Sequence, residues 1–306
     1  MKAAFIEQYG GPEVIRYGDL PDPVAAPGEV VVDVVAASVN GADWKVRLGQ
    51  YRHARFPLVL GRDFSGVVSA LGEGVDDLAV GEEVFGVLEA GQEGAYAEKL
   101  AVKAAIIARK PAALSHVNAA ALALTGLTAL SAVEDTLELR PGETILVQGG
   151  AGGVAGFAIQ LAKHIGARVI TTTSAPNRDY VRSLGADEVI DYNAQEFTRV
   201  VSGCDAVFDT VGGEVAQKSF VVLRPGGRAA FIASGPQAPK LDRRDVTALR
   251  PPVGRARVHM ERVAALFAAG AVRPPEIKLY RLWQAADAHR LSEGRHFRGK
   301  LVFEVR

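Results

Sequence analysis

The strongest constraint on the fold is a glycine-rich turn between a strand-like and a helix-like segment. Residues 144–148 are a short apolar run, and they lead into Gly149-Gly150-Ala151-Gly152-Gly153-Val154-Ala155, which contains the pattern G-x-G-x-x-A. In this pattern Gly150 permits a tight turn, Gly152 lets the backbone approach a pyrophosphate, and the small Ala155 lets helix and sheet pack closely. The turn therefore predicts a dinucleotide phosphate bound at a helix N-terminus, with Gly153 and Val154 included in the site.

The end of the next predicted strand indicates which dinucleotide is expected. Proteins that bind NAD commonly place Asp or Glu about 20 residues beyond the glycines, where it binds the ribose hydroxyls. Here the segment reads Thr171-Thr172-Thr173-Ser174-Ala175-Pro176-Asn177-Arg178, which offers hydroxyl, amide and guanidinium donors and has no carboxylate to repel a 2′-phosphate. The alternative is that Ser174 only caps the following helix and that Arg178 is solvated. These roles are compatible, and NADP(H) is the predicted cofactor.

Two patterns of predicted elements divide the chain. Strand-like runs separated by Gly and Pro indicate an irregular, mainly β domain at residues 29–39, 63–71, 82–88 and 94–102. From about residue 139, strands and helices alternate, which favours a parallel sheet covered on both faces. The alternating segments are residues 144–148, 153–165, 168–172, 176–184, 188–192, 194–201, 205–210, 214–223 and 228–234.

The last quarter of the chain contains fewer regular elements. Residues 235–255 are rich in Pro and charge and predict a loop. A helix at 258–269 and strands at 277–282 and 301–305 are too few for a domain of their own. We therefore expect the C-terminus to return to the N-terminal domain.

Composition excludes several classes of protein. Lys and Arg total 35, as do Asp and Glu, so no overall charge attracts nucleic acid or an anionic membrane. The single cysteine, Cys204, cannot form an intramolecular disulfide, which favours a reducing compartment. The apolar run at residues 3–6 is too short for the core of a signal peptide. The longer apolar run at residues 119–133 is too short to span a membrane, so it predicts a buried helix. A cytoplasmic protein is expected.

Several segments, in this order and spacing, resemble the zinc-free quinone oxidoreductase, or zeta-crystallin-like, branch of the medium-chain dehydrogenase/reductase superfamily. The resemblance covers essentially the whole chain. It rests on Ala37-Ser38-Val39-Asn40-Gly41-Ala42-Asp43-Trp44-Lys45, Leu60-Gly61-Arg62-Asp63-Phe64-Ser65-Gly66-Val67-Val68, Leu124-Thr125-Gly126-Leu127-Thr128-Ala129, the glycine-rich turn, Leu184-Gly185-Ala186-Asp187, Val189-Ile190-Asp191-Tyr192 and Arg298-Gly299-Lys300-Leu301-Val302.

The resemblance implies an α/β protein with a GroES-like, mainly β catalytic domain and a Rossmann domain, a doubly wound parallel sheet that binds NADP. We assign residues 1–118 and 258–306 to the first and 119–257 to the second, with nicotinamide and substrate meeting in a cleft. It implies that the cofactor phosphate lies near Ser174, Asn177, Arg178 and Tyr192. It also implies that Thr128, Val211 and Gly212 lie near the nicotinamide.

The chain departs from the zinc-dependent members of the superfamily at their ligand positions. Asn40-Gly41 stands where those proteins have a Cys-His pair, Gly61-Arg62-Asp63 where they have Gly-His-Glu, and Leu124 in place of a further ligand cysteine. A four-cysteine structural zinc lobe has no counterpart in a chain with one cysteine. We therefore expect no catalytic or structural metal.

Without a metal, the expected acceptor is one that needs little help to hold negative charge. Reduction of an isolated ketone needs a group such as zinc to stabilise the alkoxide, whereas a quinone or α,β-unsaturated carbonyl delocalises the charge onto an oxygen that hydrogen-bond donors can hold. Asp43 is expected to orient Lys45 or Arg62, with a pKa lowered by these cations. The candidate donors, any of which could be an ordinary wall residue instead, are Asn40, Lys45, Tyr51, Arg62 and Thr125.

The leading hypothesis is an NADPH-dependent quinone or enone reductase. The alternatives are an enoyl-thioester reductase of polyketide-type synthesis and a non-catalytic, crystallin-like NADPH- or RNA-binding protein, although the neutral charge argues against RNA. The acceptor cannot be deduced, because residues 50–56 and 235–257, which we expect to wall the pocket, follow no transferable pattern. The resemblance also implies a homodimer, and the nearly uncharged strand 228–234 is the expected open edge for pairing.

Overall fold

The computed structural model describes residues 1–51, 55–235, 237–240 and 243–306, so parts of the two loops expected to wall the pocket lie outside it. Within these residues the chain forms two compact units. The terminal unit contains Met1–Leu124, Arg255–Ala268 and Pro274–Arg306, and the central unit contains Thr125–Gly254 and Ala269–Arg273. The sequence-based boundaries were 118/119 and 257/258.

The elements follow one another in three groups along the chain. The first group is β1 (Lys2–Ile6), β2 (Arg16–Asp19), β3 (Glu29–Val39), α1 (Gly41–Arg47), β4 (Leu58–Val59), β5 (Asp63–Leu71), β6 (Glu83–Val87), β7 (Lys99–Lys103), β8 (Ile107–Arg109) and α2 (His116–Leu130). The second is β9 (Thr144–Gln148), α3 (Gly153–Ile165), β10 (Arg168–Thr173), α4 (Arg178–Ser183), β11 (Glu188–Asp191), β12 (Cys204–Asp209), α5 (Gly213–Lys218), β13 (Leu223–Phe231) and β14 (Thr247–Leu249). The third is α6 (Arg257–Ala268), β15 (Ile277–Arg281), α7 (Ala285–Gly294) and β16 (Lys300–Glu304).

The terminal unit is built around a mainly antiparallel sheet with the order β15-β16-β3-β5-β6-β8, with β7 also paired to β3. Strand β16 pairs antiparallel with β3, Leu301 opposite Val39. The last residues of the chain therefore complete the sheet of the first, which confirms the predicted return of the C-terminus. A smaller sheet, β2-β1-β4, completes the unit.

The central unit is built around a six-stranded parallel sheet with the order β11-β10-β9-β12-β13-β14. This order grows outward in both directions from β9, the strand before the glycine-rich turn, and it is the strand order of a Rossmann fold. The order reverses between β9 and β12. In folds of this kind ligands bind at the carboxyl ends of the strands beside such a reversal.

Several predicted elements differ from those observed. The strand predicted at 94–102 begins only at Lys99, because residues 95–98 turn to bond with β1 and Leu60 instead. The helix predicted at 194–201 is a single 3₁₀ turn, Phe197–Arg199, and α5 ends at Lys218, well before residue 223. The pattern also failed to predict β1, β2, α1, β4, β8 and α7.

The prediction that strand 228–234 forms an open edge of the parallel sheet is wrong. Residues 228–230 of β13 pair with Thr247–Leu249, a short strand inside the segment predicted to be a loop. Three residues are too few to show a periodic pattern, and the surrounding segment is rich in Pro and charge, so the sequence indicated a loop here. Strand β14 is therefore the outermost strand on that side of the sheet among the described residues.

The apolar segment at residues 119–133 forms a helix, as predicted. Helix α2 continues as a π-helix, Ser131–Thr136. The combined segment His116–Thr136 is long and apolar enough to cross a membrane. An 18-residue stretch within it has a mean hydropathy of 1.4, but 78% of that stretch is buried inside the protein. Length and composition alone are weak evidence for a span, and this burial is typical of a core helix.

Candidate functional site

The glycine-rich turn of the central unit lies where the sequence places it, but its glycines divide their roles differently. Gly149, not Gly150, adopts the left-handed conformation of the tight turn, with φ of 76°. Gly150 is required for close approach, because a Cβ there would lie 2.3 Å from Oγ1 of the buried Thr171. Gly152 precedes the first turn of α3, and a Cβ there would meet only the carbonyl oxygen of Gly149, at 3.4 Å. Space is therefore left at Gly152 for a ligand to reach the backbone.

A series of buried hydrogen bonds between side chains connects this turn to the sheet beneath it. The Thr172 hydroxyl donates to Oε1 of Gln148 at 2.6 Å and accepts from the backbone N–H of Gly149 at 3.2 Å. Nε2 of Gln148 donates in turn to Oγ of Ser219 at 3.2 Å. These bonds connect β9, β10 and the end of α5, so they fix the turn relative to the sheet.

The edge beside β10 has the character predicted for a 2′-phosphate site. Strand β10 ends at Thr173 without a carboxylate, and the Asn177 amide donates to the Ser174 hydroxyl at 3.1 Å. The Arg178 side chain is exposed and forms no ion pair or hydrogen bond with the described residues. Tyr192, directly after β11, is also exposed. The four predicted phosphate contacts thus lie at or just beyond the carboxyl ends of β10 and β11.

Beside the turn, the end of β12 presents Val211 and Gly212. The carboxylate of Asp209 accepts backbone N–H bonds from Val211 at 3.1 Å and Gly212 at 2.7 Å. Burial raises the pKa of Asp209 to about 6, an effect that these two bonds partly offset. A Cβ on Gly149 would contact Val211, so this loop lies next to the glycine-rich turn. Thr128, also predicted near the nicotinamide, is buried in α2.

In the terminal unit, Asn40 lies in a buried hydrogen-bonded network. Its amide nitrogen donates to Oδ1 of Asp63 at 2.8 Å, and its amide oxygen accepts from Nζ of Lys300 at 2.7 Å. Ser38 donates to the other oxygen of Asp63 at 2.8 Å, and Lys300 also donates to the Val39 carbonyl. Burial raises the pKa of Asp63 and lowers that of Lys300, while their mutual attraction opposes both shifts.

Asp43 lies in the first turn of α1, fully buried. It accepts the backbone N–H of Asn40 at 2.8 Å and the Tyr96 hydroxyl at 2.6 Å, and its Oδ1 lies 3.9 Å from Nε of Arg62. The expectation that nearby cations lower its pKa is wrong. Burial raises the pKa of Asp43 to about 6, because desolvation outweighs the attraction of Arg62 and the bond from Tyr96.

Arg62 is held by a carboxylate that sequence reasoning missed. Its Nε donates to Oε1 of Glu93 at 2.6 Å, and its guanidinium carbon lies 5.8 Å from the centroid of the Tyr51 ring. The Glu93 side chain is fully buried, whereas Tyr51 is 43% exposed. Arg62 thus connects a buried acid to a side chain at the surface of the terminal unit.

The structure therefore brings together Asn40, Asp43, Arg62 and Tyr51 of the predicted catalytic residues. Nζ of Lys45 lies 5.6 Å from the ring centroid of Trp44 instead, and Thr125 is a buried residue of α2 in the central unit. The catalytic roles of all six stay predictions. Sequence reasoning missed Glu93, Tyr96 and Lys300, of which only Lys300 lay in a segment that supported the resemblance.

Comparisons with known proteins identify the family. Residues 26–112 match the model of the alcohol dehydrogenase GroES-like domain, and residues 184–303 match that of zinc-binding dehydrogenases. The chain is 31% identical over its whole length to a mitochondrial NAD(P)H oxidoreductase of Danio rerio, of which the match covers 91%. It belongs to the medium-chain dehydrogenase/reductase superfamily. Within that superfamily its structural neighbours include several quinone oxidoreductases.

Two solved structures illustrate this similarity. The quinone oxidoreductase from Coxiella burnetii superposes with a TM-score of 0.93 at 33% identity, covering 100% of this chain and 99% of that one. The quinone oxidoreductase of Escherichia coli complexed with NADPH superposes with a TM-score of 0.91 at 26% identity, covering both chains fully. The recognised family and the GroES-like plus Rossmann fold are thereby confirmed.

Two curated relatives are longer than this chain. The 2-methylene-furan-3-one reductase of Solanum lycopersicum is 37% identical over 254 residues, and the match covers 78% of this chain and 64% of the relative. A spectinabilin polyketide synthase system protein of Streptomyces orinoci is 37% identical over 297 residues, which cover 92% of this chain but 13% of the relative.

The zinc in the name of one matching family does not fit this site. Asn40, Arg62 and Leu124 occupy the positions that resemble the ligand positions of zinc-dependent members, and a guanidinium repels a metal cation. Among the described residues, no group of three or more His, Cys, Asp or Glu side chains is placed to hold a metal ion.

Proposed function

We propose that this protein is an NADPH-dependent oxidoreductase that reduces a quinone or an α,β-unsaturated carbonyl without a metal. When bound, NADPH supplies the hydride. The remaining task of the protein is to bind this cofactor, to orient the acceptor and to stabilise the negative charge that develops on the acceptor oxygen.

The central unit supplies a fitting site for NADPH. The open position at Gly152 and the start of α3 suit the pyrophosphate, since free N–H groups and the helix dipole favour an anion there. Asn177 and Arg178 suit the 2′-phosphate, because the guanidinium, which has no partner among the described residues, can form charge-assisted bonds to it. The NADPH complex of the Escherichia coli relative supports the same assignment.

The observation that carries the proposal lies in the terminal unit. At the positions where zinc-dependent members hold their metal, this chain has an amide and a guanidinium, each fixed by a buried carboxylate: Asn40 by Asp63 and Arg62 by Glu93. The N–H groups of the Asn40 amide are directed at Asp63 Oδ1 and, at 3.4 Å, at the Ser38 carbonyl, so the groups left to donate to an acceptor are the terminal N–H groups of Arg62. These can hold an enolate-like or quinol anion, in which the charge is already delocalised. The localised alkoxide that forms from an isolated ketone needs stronger stabilisation, which zinc supplies as a Lewis acid in the zinc-dependent members.

Steady-state oxidation of NADPH against a panel of quinones, enones and simple ketones tests this proposal. We expect turnover with the conjugated acceptors and little or none with the simple ketones. Preferential turnover of simple ketones would overturn it.

A second candidate is an enoyl-thioester reductase, which the similarity to the polyketide synthase protein of Streptomyces orinoci favours. The chemistry at the acceptor is the same, because a conjugated thioester also forms an enolate on hydride addition. Including a 2-enoyl pantetheine thioester in the acceptor panel distinguishes the two. A higher kcat/KM for the thioester than for any quinone or enone would favour the second candidate.

We also propose a homodimer, with β14 in place of β13 as the pairing strand. The three residues of β14 carry no charge, and its outer edge is unpaired among the described residues, so antiparallel pairing with a second copy would satisfy its backbone groups. Light scattering should give twice the chain mass of 32.3 kDa, and Ala248→Pro should shift the protein towards monomer. A monomer mass for the unmodified protein would contradict this.

A cytoplasmic location, which cell fractionation can test, likewise stays a proposal.

A further inference from the structure

Two carboxylates approach the same nitrogen of Arg62. Glu93 Oε1 lies 2.6 Å and Asp43 Oδ1 lies 3.9 Å from Arg62 Nε, and the side chains of both acids are fully buried. Each acid also has one buried oxygen, Oε2 of Glu93 and Oδ1 of Asp43, without a hydrogen-bond partner among the described residues. Two ionised carboxylates therefore compete for one guanidinium nitrogen in a place where unpaired charge is costly.

A single shared proton resolves this conflict. Like charges that are buried close together cannot both ionise readily, so one acid of such a pair takes up a proton. The protonated acid can still accept the Nε–H bond on its carbonyl oxygen. In agreement with this, burial and the charge of Asp43 raise the pKa of Glu93 to about 8, although Arg62 opposes the shift.

The other end of Arg62 is available to a ligand. Its Nε is engaged by Glu93, but its two terminal amino groups form no hydrogen bond with the described residues. The side chain is 14% exposed, beside the exposed ring of Tyr51. Glu93 thus fixes the orientation of the guanidinium from its buried side and leaves the N–H groups of the other side able to donate.

We propose that Glu93 is a positioning residue for Arg62, and that it shares one proton with Asp43 so that the guanidinium can donate to the oxygen of the reduced acceptor. This inference rests on the proposed function. Loss of the shared proton adds one negative charge beside Arg62, and this charge opposes the one that develops on the acceptor oxygen. The other ionisable groups that act on Glu93 or respond to it are Tyr96, which stays neutral, and Arg255.

The first test is the pH profile of kcat/KM for NADPH-dependent reduction of a quinone. For the unmodified protein we expect a decline of about tenfold per pH unit above pH 8. Glu93→Gln keeps an acceptor for Arg62 Nε but cannot lose a proton, so its profile should lack this decline. Glu89→Gln is the matched control, because Glu89 lies on the same loop but is partly exposed and paired with Lys103. The same alkaline decline in Glu93→Gln as in the control would overturn the proposal.

A second measurement needs no acceptor. Because the folded-state pKa of Glu93 lies above its ordinary value, the folded protein holds more protons than the unfolded chain between pH 4.5 and pH 8. Stability should therefore fall as pH rises through that window in the unmodified protein, and fall less in Glu93→Gln. Urea denaturation at several pH values measures this difference.

The two measurements separate the possible failures. If no acceptor is reduced but the pH-dependent stability difference is present, the proposed function fails and the shared proton stands. If the stability difference is absent, the shared proton is ruled out whatever the enzyme reduces.

Discussion

The two units form their polar sites by opposite means. The central unit uses backbone: glycines bring the chain close to its neighbours, and the N-terminus of α3, which no side chain caps, is the proposed phosphate site. The terminal unit uses side chains: Asp43, Asp63 and Lys300 are buried, charged and bonded to one another or to neighbouring polar groups. A backbone site depends on local sequence, whereas a network of buried charges depends on residues far apart in the chain.

This difference predicts distinct responses to substitution. Removing one member of a buried charge network leaves its partner uncompensated, so the fold itself is weakened. Removing space or a donor at a surface-facing backbone site leaves the fold intact and weakens ligand binding. The predictions below test this contrast, from the largest expected effect to the smallest.

Lys300→Met should destabilise the fold by about 3–5 kcal/mol, because the buried Asp63 would lose its neighbouring cation. Lys278→Met, on the adjacent strand β15, is the control, and we expect a change within about 0.5 kcal/mol since Lys278 is exposed. Urea denaturation measures both. Equal effects of the two substitutions would show that the terminal network does not stabilise the fold through its charges.

Substitution of Gly150 should lower the stability of the fold, whereas substitution of Gly152 should weaken the binding of NADPH. Gly150→Ala places a Cβ against the buried Thr171 and should cost about 1–3 kcal/mol in the free energy of unfolding. Gly152→Ala meets only a carbonyl oxygen at 3.4 Å, so stability should be retained while NADPH binding weakens at least about tenfold, or roughly 1.4 kcal/mol. Denaturation and fluorescence titration measure the two quantities. Retention of full NADPH affinity in Gly152→Ala would exclude a close approach of the cofactor there.

How far the sequence predicts each site follows from the same contrast. The turn, its strand and its helix occupy consecutive residues, so the glycine pattern locates them, although it assigns the tight turn to Gly150 and the left-handed residue of that turn is Gly149. The partners in the terminal unit are not consecutive: Arg62 meets Glu93, and Asn40 meets Lys300. Spacing along the chain contains no signal for such pairs. For the same reason β14, whose three residues are defined by pairing with β13, was predicted as loop.

Discrimination between cofactors should depend on the edge beside β10. We expect NADPH to bind at least about tenfold more tightly than NADH, which corresponds to roughly 1.4 kcal/mol. Combining Arg178→Ala with Asn177→Ala should remove most of this difference, because both side chains lie where the 2′-phosphate is expected. Isothermal titration with each cofactor measures it. Equal affinities in the unmodified protein would contradict the assignment.

Thr172→Val should produce the smallest effect. The substitution preserves shape but removes the bond to Gln148 and leaves the Gly149 N–H without its acceptor, at a cost of about 1 kcal/mol. Thr173→Val on the same strand is the control, since its hydroxyl makes no hydrogen bond with the described residues. Thermal denaturation compares the two. Identical destabilisation by the two substitutions would show that the hydrogen bonds of Thr172 contribute nothing specific to stability.

The central claim is that fixed hydrogen-bond donors replace a metal at the acceptor. The most direct measurement is the rate of NADPH oxidation with a quinone by protein treated with a chelator and shown by elemental analysis to be free of zinc. We predict that the treated protein retains the activity of the untreated one, and that added zinc does not increase it. Loss of activity on zinc removal, with recovery when zinc is restored, would contradict the claim.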